Sequence, residues 1–256
     1  MKIFATYNIK GGVGKTSTAV NLAWLAAADG YRVLLWDLDA QAASSFLFRI
    51  RPRVKGGGKG LIRGTRPVDD AIKGTDYDGL DLLPADFTYR NLDLILDGAK
   101  KPARRLASLL APLRGEYDVI ILDCPPSISL LSESVLHAAD LLLVPLIPTT
   151  LSVRTLDQLT EFIADFAGQR PQILAFFSML DRRKRLHMEI ATELPRERPE
   201  FAATVIPALS LIERMSVERA PVAAFSPRSQ AARGYAELWQ EAKERAGLGD
   251  PRKLAN

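Results

Sequence analysis

Seven short apolar runs, separated by segments long enough for helices, limit what this sequence can fold into. They fall at 3–7, 32–37, 80–84, 118–123, 141–145, 173–179 and 203–206. Most are continuous rather than alternating, as in Val119-Ile120-Ile121-Leu122 and Leu141-Leu142-Leu143-Val144. A strand with one wet face alternates polar and apolar residues, whereas parallel strands covered on both faces do not. Helix-length amphipathic segments lie between many of the runs, at 15–28, 91–96, 103–113, 152–166 and 230–246. Strands alternating with helices predict an α/β fold, with a doubly wound, mostly parallel sheet flanked by helices. Ligands of such sheets bind at the carboxyl ends of the strands. No repeat, linker or composition break divides the 256 residues, so the expectation is a single domain over 1–256. The least regular stretch is 51–64, which contains Lys55-Gly56-Gly57-Gly58-Lys59-Gly60. Three consecutive glycines make a helix or strand costly, which predicts a flexible, basic, glycine-rich loop.

The segment with the most chemistry follows the first run: Ile9-Lys10-Gly11-Gly12-Val13-Gly14-Lys15-Thr16-Ser17. A glycine loop between a strand and a helix lets backbone N–H groups converge on phosphate oxygens, and the helix N-terminus adds a favourable dipole. In that pattern Lys15 neutralises β- and γ-phosphates and Thr16 places its hydroxyl on Mg²⁺. Three carboxylates are expected to complete the site. Asp37 and Asp39 stand at the end of the second run, where burying a charge is costly unless it serves a metal or a partner. Period-two geometry would put both on one side of an extended strand. Asp123 ends the apolar run 119–122 and reads as a Walker B carboxylate, which holds Mg²⁺, commonly through water.

Composition excludes several classes. One cysteine, Cys124, allows no intramolecular disulfide and no cysteine cage for zinc or iron–sulfur within one chain. A reducing, cytosolic setting fits. Neither His137 nor His187 has a metal-type partner at usable spacing. The longest apolar stretch, 141–148, is far short of the ~20 residues a membrane span needs. The net charge is only +4, but seven basic and no acidic residues lie between Arg49 and Arg66, and Arg182-Arg183-Lys184-Arg185 forms a second cluster. Such concentration points to a polyanion, although solvated loops also look like this.

Ile9 stands where the usual phosphate-loop pattern has a glycine, and Lys10 precedes Gly11-Gly12. This resembles the deviant Walker A motif of the ParA/MinD family of P-loop ATPases. The resemblance continues through Asp37-Leu38-Asp39, although Ala40 follows where the family usually has proline, and through Asp123-Cys124-Pro125-Pro126-Ser127. It also covers 143–149, 177–183, Thr204-Val205-Ile206-Pro207, Ala220-Pro221-Val222 and Phe225-Ser226-Pro227-Arg228-Ser229, almost the whole chain. It is closer to ParA-type partition ATPases than to MinD.

The resemblance implies ATP and Mg²⁺ as cofactors, with Lys10, Gly11, Gly12, Val13, Gly14, Lys15, Thr16 and Ser17 around the phosphates. Thr16, Asp37, Asp39 and Asp123 would lie on the metal side. Lys10 would act on the phosphates of a twin subunit in a nucleotide-sandwich homodimer, Asp39 would position the attacking water, and Pro207 would lie near the base. The implied function is a positioning or partition ATPase that binds DNA nonspecifically and is stimulated by a ParB-like or adaptor protein. That protein would be cytoplasmic and nucleoid-associated. Relatives often carry arginines after the Ile-Pro pair, where this chain has Ala208-Leu209-Ser210-Leu211. Candidate DNA contacts are therefore Arg182, Arg183, Arg185, Arg196, Arg198, Arg214, Arg219 and Arg228, together with the 49–66 segment. A MinD-like membrane role is the first alternative. It is disfavoured because Tyr235, Leu238, Trp239 and Ala242 form only a narrow apolar face beside several glutamates. A metabolic reductase or metal-delivery ATPase is the second, and it needs paired cysteines.

Overall fold

The computed structural model describes residues 1–166 and 170–251; the expected domain over 1–256 includes residues outside that set. The described residues form one sheet of eight strands. These are β1 Lys2–Thr6, β2 Val33–Asp37, β3 Lys73–Gly74, β4 Leu80–Leu83, β5 Val119–Asp123, β6 Leu141–Leu146, β7 Gln172–Leu180 and β8 Phe201–Pro207. Their spatial order is β3-β4-β2-β5-β1-β6-β7-β8. Every pair is parallel except β3 with β4. The sheet is therefore doubly wound and mostly parallel.

Period-two geometry sends alternate side chains of each central strand into separate cores. Ile3, Ala5, Leu34, Trp36, Ile120, Leu122, Leu142 and Val144 face one core. Phe4, Val33, Leu35, Val119, Ile121, Leu141 and Leu143 face the other. Both faces need helices, which explains the continuous apolar runs. In chain order the first helices are α1 Lys15–Ala28, α2 Ala43–Leu47, α3 Gly58–Arg63, α4 Leu92–Asp97, α5 Arg105–Leu110, α6 Leu130–Ala138, α7 Thr150–Ala164 and α8 Arg185–Glu197. Residues of α3 to α7 pack into the first core. The second is closed by α1 and the C-terminal helix Gln230–Ala246. In that last helix Tyr235, Leu238, Trp239 and Ala242 are buried, and Trp239 Nε1 donates to Asp29 at 2.8 Å. Its apolar face is thus spent inside the protein. Among the described residues, no helix is long and apolar enough to cross a membrane.

Three expectations differ from the structure. The 51–64 segment is not simply a loop: Gly56 and Gly57 take positive φ, and helix α3 begins at Gly58. The glycines supply the turn, while Leu61 and Ile62, 1% and 0% exposed, supply the burial that offsets their poor helix propensity. The helix expected at 103–113 is broken into a 3-10 turn, α5 and a second 3-10 turn at 111–113. Pro112 lacks the N–H an α-helix would need there. The antiparallel edge β3 and the helices α6 and α8 were absent from the expected elements. In β3 only two residues pair, too few for a pattern, and α8 exposes most of its length.

Candidate active site

The loop 8–14 leaves β1 between β5 and β6, at the carboxyl end of the sheet centre. Its shape follows from two glycines. Gly12 has φ +70° and Gly14 has φ +95°, both in the left-handed region that disfavours side chains. Gly14 caps α1 in this conformation, and a Cβ there would lie 2.8 Å from Ser178 Oγ on β7. Val13 is 1% exposed and anchors the loop in the protein. Asn8 was not singled out from the sequence, yet it fastens the loop. Its Nδ2 donates to Pro145 O at 2.8 Å on β6, and its Oδ1 accepts from Lys10 N at 2.9 Å. The available signal was a polar residue inside an otherwise apolar strand end.

Lys15 is 7% exposed and donates from Nζ to Lys10 O at 2.9 Å. Burial pushes its pKa below the ordinary value, against the opposing pull of Asp123 and Asp39. Lys10 is half-buried, while Gly11 and Gly12 beside it are exposed. Thr16 and Ser17 follow on the first turn of α1, both half-buried.

Asp37 and Asp123 face each other across neighbouring strands in register. Both are buried, and burial raises the pKa of each; for Asp37 the charge of Asp123 adds to the rise. The two serines of α2 hold them. Ser44 Oγ donates to Asp123 Oδ2 at 2.7 Å. Ser45 donates to Asp37 Oδ2 from both N and Oγ, each at 2.8 Å. Hydrogen bonds from Ser44 and Thr16 counter the rise at Asp123, so the Thr16 hydroxyl and this carboxylate are neighbours.

Strand β2 ends at Asp37 and the chain turns, so Asp39 stands beyond the extended segment on which the shared side of Asp37 and Asp39 was expected. Asp39 lies half-buried in that turn, with Oδ1 accepting from Gln41 N at 2.9 Å. Asp37, committed to Ser45, and Asp123 are the two fully enclosed members of the expected metal-side set. Pro207 lines a cavity of about 240 Å³ together with Gly14, Ser17, Ser178, Met179 and Tyr235. It therefore stands beside the glycine loop.

The DNA candidates are scattered and mostly engaged. Arg183 pairs with Asp181, Arg185 with Glu189, and Arg214 with Glu218. Arg198 is largely enclosed and bound to Asp157 and Glu200, a structural position rather than a free surface charge. Arg219 donates to Phe46 O and covers the Phe46 ring. Among the described residues Arg182, Arg196, Arg219 and Arg228 form no ion pair, and of these only Arg219 has its guanidinium on a carbonyl.

This geometry has counterparts in known proteins. The AAA domain family profile matches residues 1–175. The sporulation initiation inhibitor protein Soj of Bacillus subtilis is 33% identical over 94% of this chain and 97% of that protein. The chain belongs to the ParA/MinD family of P-loop ATPases. A second relative is the chromosome partitioning protein ParA of Caulobacter vibrioides, 34% identical over 76% of this chain and 75% of its own length. Among solved structures, the cobyrinic acid a,c-diamide synthase of Mycobacterium smegmatis, with bound ADP and magnesium, is similar at TM-score 0.79. It is 26% identical, and the match covers 96% of each chain. As in other P-loop proteins, the ParA/MinD signature of this chain lies at the carboxyl ends of its parallel strands.

Proposed function

We propose that this chain is an ATP-hydrolysing, ATP-dependent dimerising ATPase. In this reading it binds DNA nonspecifically and positions or partitions a cargo with a partner that stimulates hydrolysis. Its setting would be cytoplasmic and nucleoid-associated. The observation that carries the reading is Lys10. It is a half-buried lysine at the mouth of the glycine loop, next to exposed Gly11-Gly12 and in addition to the buried Lys15. One loop needs only one such lysine for its own phosphates. A second is explained if it reaches the nucleotide of a twin.

The donor set fits a divalent cation. Asp123 is a buried carboxylate in contact with the Thr16 hydroxyl, and Asp39 raises its pKa further, an arrangement that favours a cation. Thr16, Asp123 and Asp39 would hold Mg²⁺, with Asp37 behind them fixing α2. Bound there, the ion supplies charge neutralisation to the β- and γ-phosphates.

The protein's own groups do the remainder. N–H groups of the loop 11–16 and Lys15 Nζ would grip the phosphate oxygens of ATP. Pro207 would border the base. Asp39 would orient a water molecule toward the γ-phosphorus and accept its proton as the bond to the β,γ-bridging oxygen breaks, leaving ADP and phosphate. Lys10 Nζ of the twin would stabilise charge on the transferring group, as an arginine finger does. Ile128 and Leu151 support the pairing: they are 63% and 65% exposed, at the entries to α6 and α7 on either side of the loop. The MinD-like membrane alternative is countered by the burial of Trp239 and its neighbours.

The test is DNA binding measured with ADP, ATP and a slowly hydrolysed analogue, for the wild type and Lys10→Ala. Binding should require the triphosphate and weaken with salt. Lys10→Ala should still bind ADP, lose triphosphate-dependent DNA binding, and turn over on the order of 10²–10³-fold more slowly under dimerising conditions. Turnover that is fast alone and indifferent to DNA or partner would remove the positioning reading.

A further inference from the structure

One cluster of basic residues without ion pairs lies at the edge of the sheet opposite α8 and β8. Arg51, Arg53, Lys55 and Lys73, with Gly56 and Gly74, line an open groove of about 570 Å³. All four cations are exposed, and among the described residues none forms an ion pair. The Arg66 guanidinium packs directly over Gly56, whose φ is +82°, and brings a fifth cation to the rim.

The neighbouring carboxylates, including Asp81 beside Gly74, are engaged by partners other than the four groove cations. Asp76 pairs with Arg49, Asp81 accepts from Tyr117 Oη, and Asp86 accepts from Val54 N and Thr88. Asp69 and Asp70 do not line the groove. The cations are also held in place by backbone order. Buried Val54 sits between Arg53 and Lys55, Gly57 N donates to Val54 O at 2.9 Å, and Lys73 is fixed opposite Leu82 in β3.

From this we infer that duplex DNA is held through its phosphodiester backbone by the groove of Arg51, Arg53, Lys55 and Lys73, and not chiefly by the arginines of 182–228. The inference rests on the DNA-binding part of the proposed function and assigns it a surface. Free cations beside glycine backbone suit phosphate oxygens. The lining has no aromatic ring to stack on a base and no Asn or Gln to read one, which favours the intact duplex and contact without sequence preference. Of the 182–228 set, most already have a carboxylate or carbonyl partner.

The test is the affinity of the full chain, with Mg²⁺ and a slowly hydrolysed ATP analogue, for a short random-sequence duplex across a salt series. Two variants are compared: one carrying Arg51→Ala, Arg53→Ala, Lys55→Ala and Lys73→Ala, the other Arg182→Ala, Arg196→Ala and Arg228→Ala. The first should lose on the order of 10²-fold in affinity and flatten the salt slope by ~3–4, at about 0.9 per lost phosphate contact. The second should change little. Replacing the two arginines and two lysines of the groove by the other basic residue should keep the slope, since a phosphate reads charge before shape. DNA-free ATP hydrolysis, unchanged in the first variant, reports that it is folded. DNA binding that survives the first variant and fails in the second overturns the inference while leaving the proposed function standing. Wild type that ignores DNA with every nucleotide overturns both. Loss of binding to phosphatidylglycerol vesicles in the first variant, with DNA affinity intact, assigns the groove to lipid and also overturns it.

Discussion

Gly14 meets two separate demands, and they can be measured apart. Its φ of +95° is one that side chains rarely adopt, and a Cβ would press to 2.8 Å from Ser178 Oγ. Gly12 has φ +70° but nothing within 4 Å of its would-be Cβ. Gly12→Ala should therefore cost only backbone strain, about 1–2 kcal/mol. Gly14→Ala adds the collision and should cost about 1–2 kcal/mol more. Urea unfolding of both variants checks the order. Adding Ser178→Ala should recover stability for Gly14→Ala and not for Gly12→Ala. Equal costs, or no recovery, would mean that the approach to β7 is not what selects glycine at position 14. That the glycines, Lys15 and Asp123 would gather at the carboxyl ends of the central strands was legible in the sequence, because each directly follows or ends an apolar run. Asn8, Ser44, Ser45 and Ser178 were not, because each acts on a residue that only the folded sheet brings near, such as Ser44 on Asp123.

At the scale of elements, the same contrast separates the central strands from the segment that follows α2. Strands β1, β2, β5 and β6 announce themselves through apolar runs, because burial on both faces leaves no room for polar residues. Helix α3 carries two glycines among six residues, and its helical state is fixed by contacts with α4 and α5 that no local pattern records. One side chain does much of the fixing. Asp86 accepts from Val54 N at 3.0 Å and from Thr88 N and Oγ1, so it ties 50–57 to the turn after β4. Burial pushes its pKa up, but the hydrogen bonds from Thr88, Val54 and Gly58 outweigh that and hold it below the ordinary carboxylate value. A depressed folded-state pKa contributes stability that is present above the unfolded value, near ~3.9, and is lost as pH falls through the folded one. Asp86→Asn should therefore cost about 1.5–3 kcal/mol at neutral pH. The gap from wild type should close as the solution is acidified below the ordinary carboxylate range. Denaturant unfolding at neutral and acid pH measures it, and a gap independent of pH would show that geometry rather than charge holds the segment.

On the scale of the whole molecule, the proposed pairing makes stability depend on how much protein is present. Any ligand that binds only the folded state stabilises it by mass action, ~2.7 kcal/mol at a hundred times its Kd. For a chain of this size that is a rise in Tm of roughly 5–10 °C. ADP held by a single subunit should give a shift that is the same at every protein concentration. A triphosphate shared between two loops is different, because in the proposed pair Lys10 and the exposed Ile128 and Leu151 would gain partners only when a second copy arrives. With a slowly hydrolysed analogue and Mg²⁺, Tm should then climb as protein concentration is raised. Lys10→Ala separates binding from pairing: it should keep the ADP shift, since Lys15 and the loop glycines remain, and lose the concentration dependence with the analogue. Replacing Ile128 and Leu151 by aspartate should do the same from the apolar side of the face, by placing like charges opposite one another across a two-fold interface. A Tm in analogue that is flat across protein concentrations for the wild type would leave Lys10 without its trans role, and with it the reason this loop has two lysines.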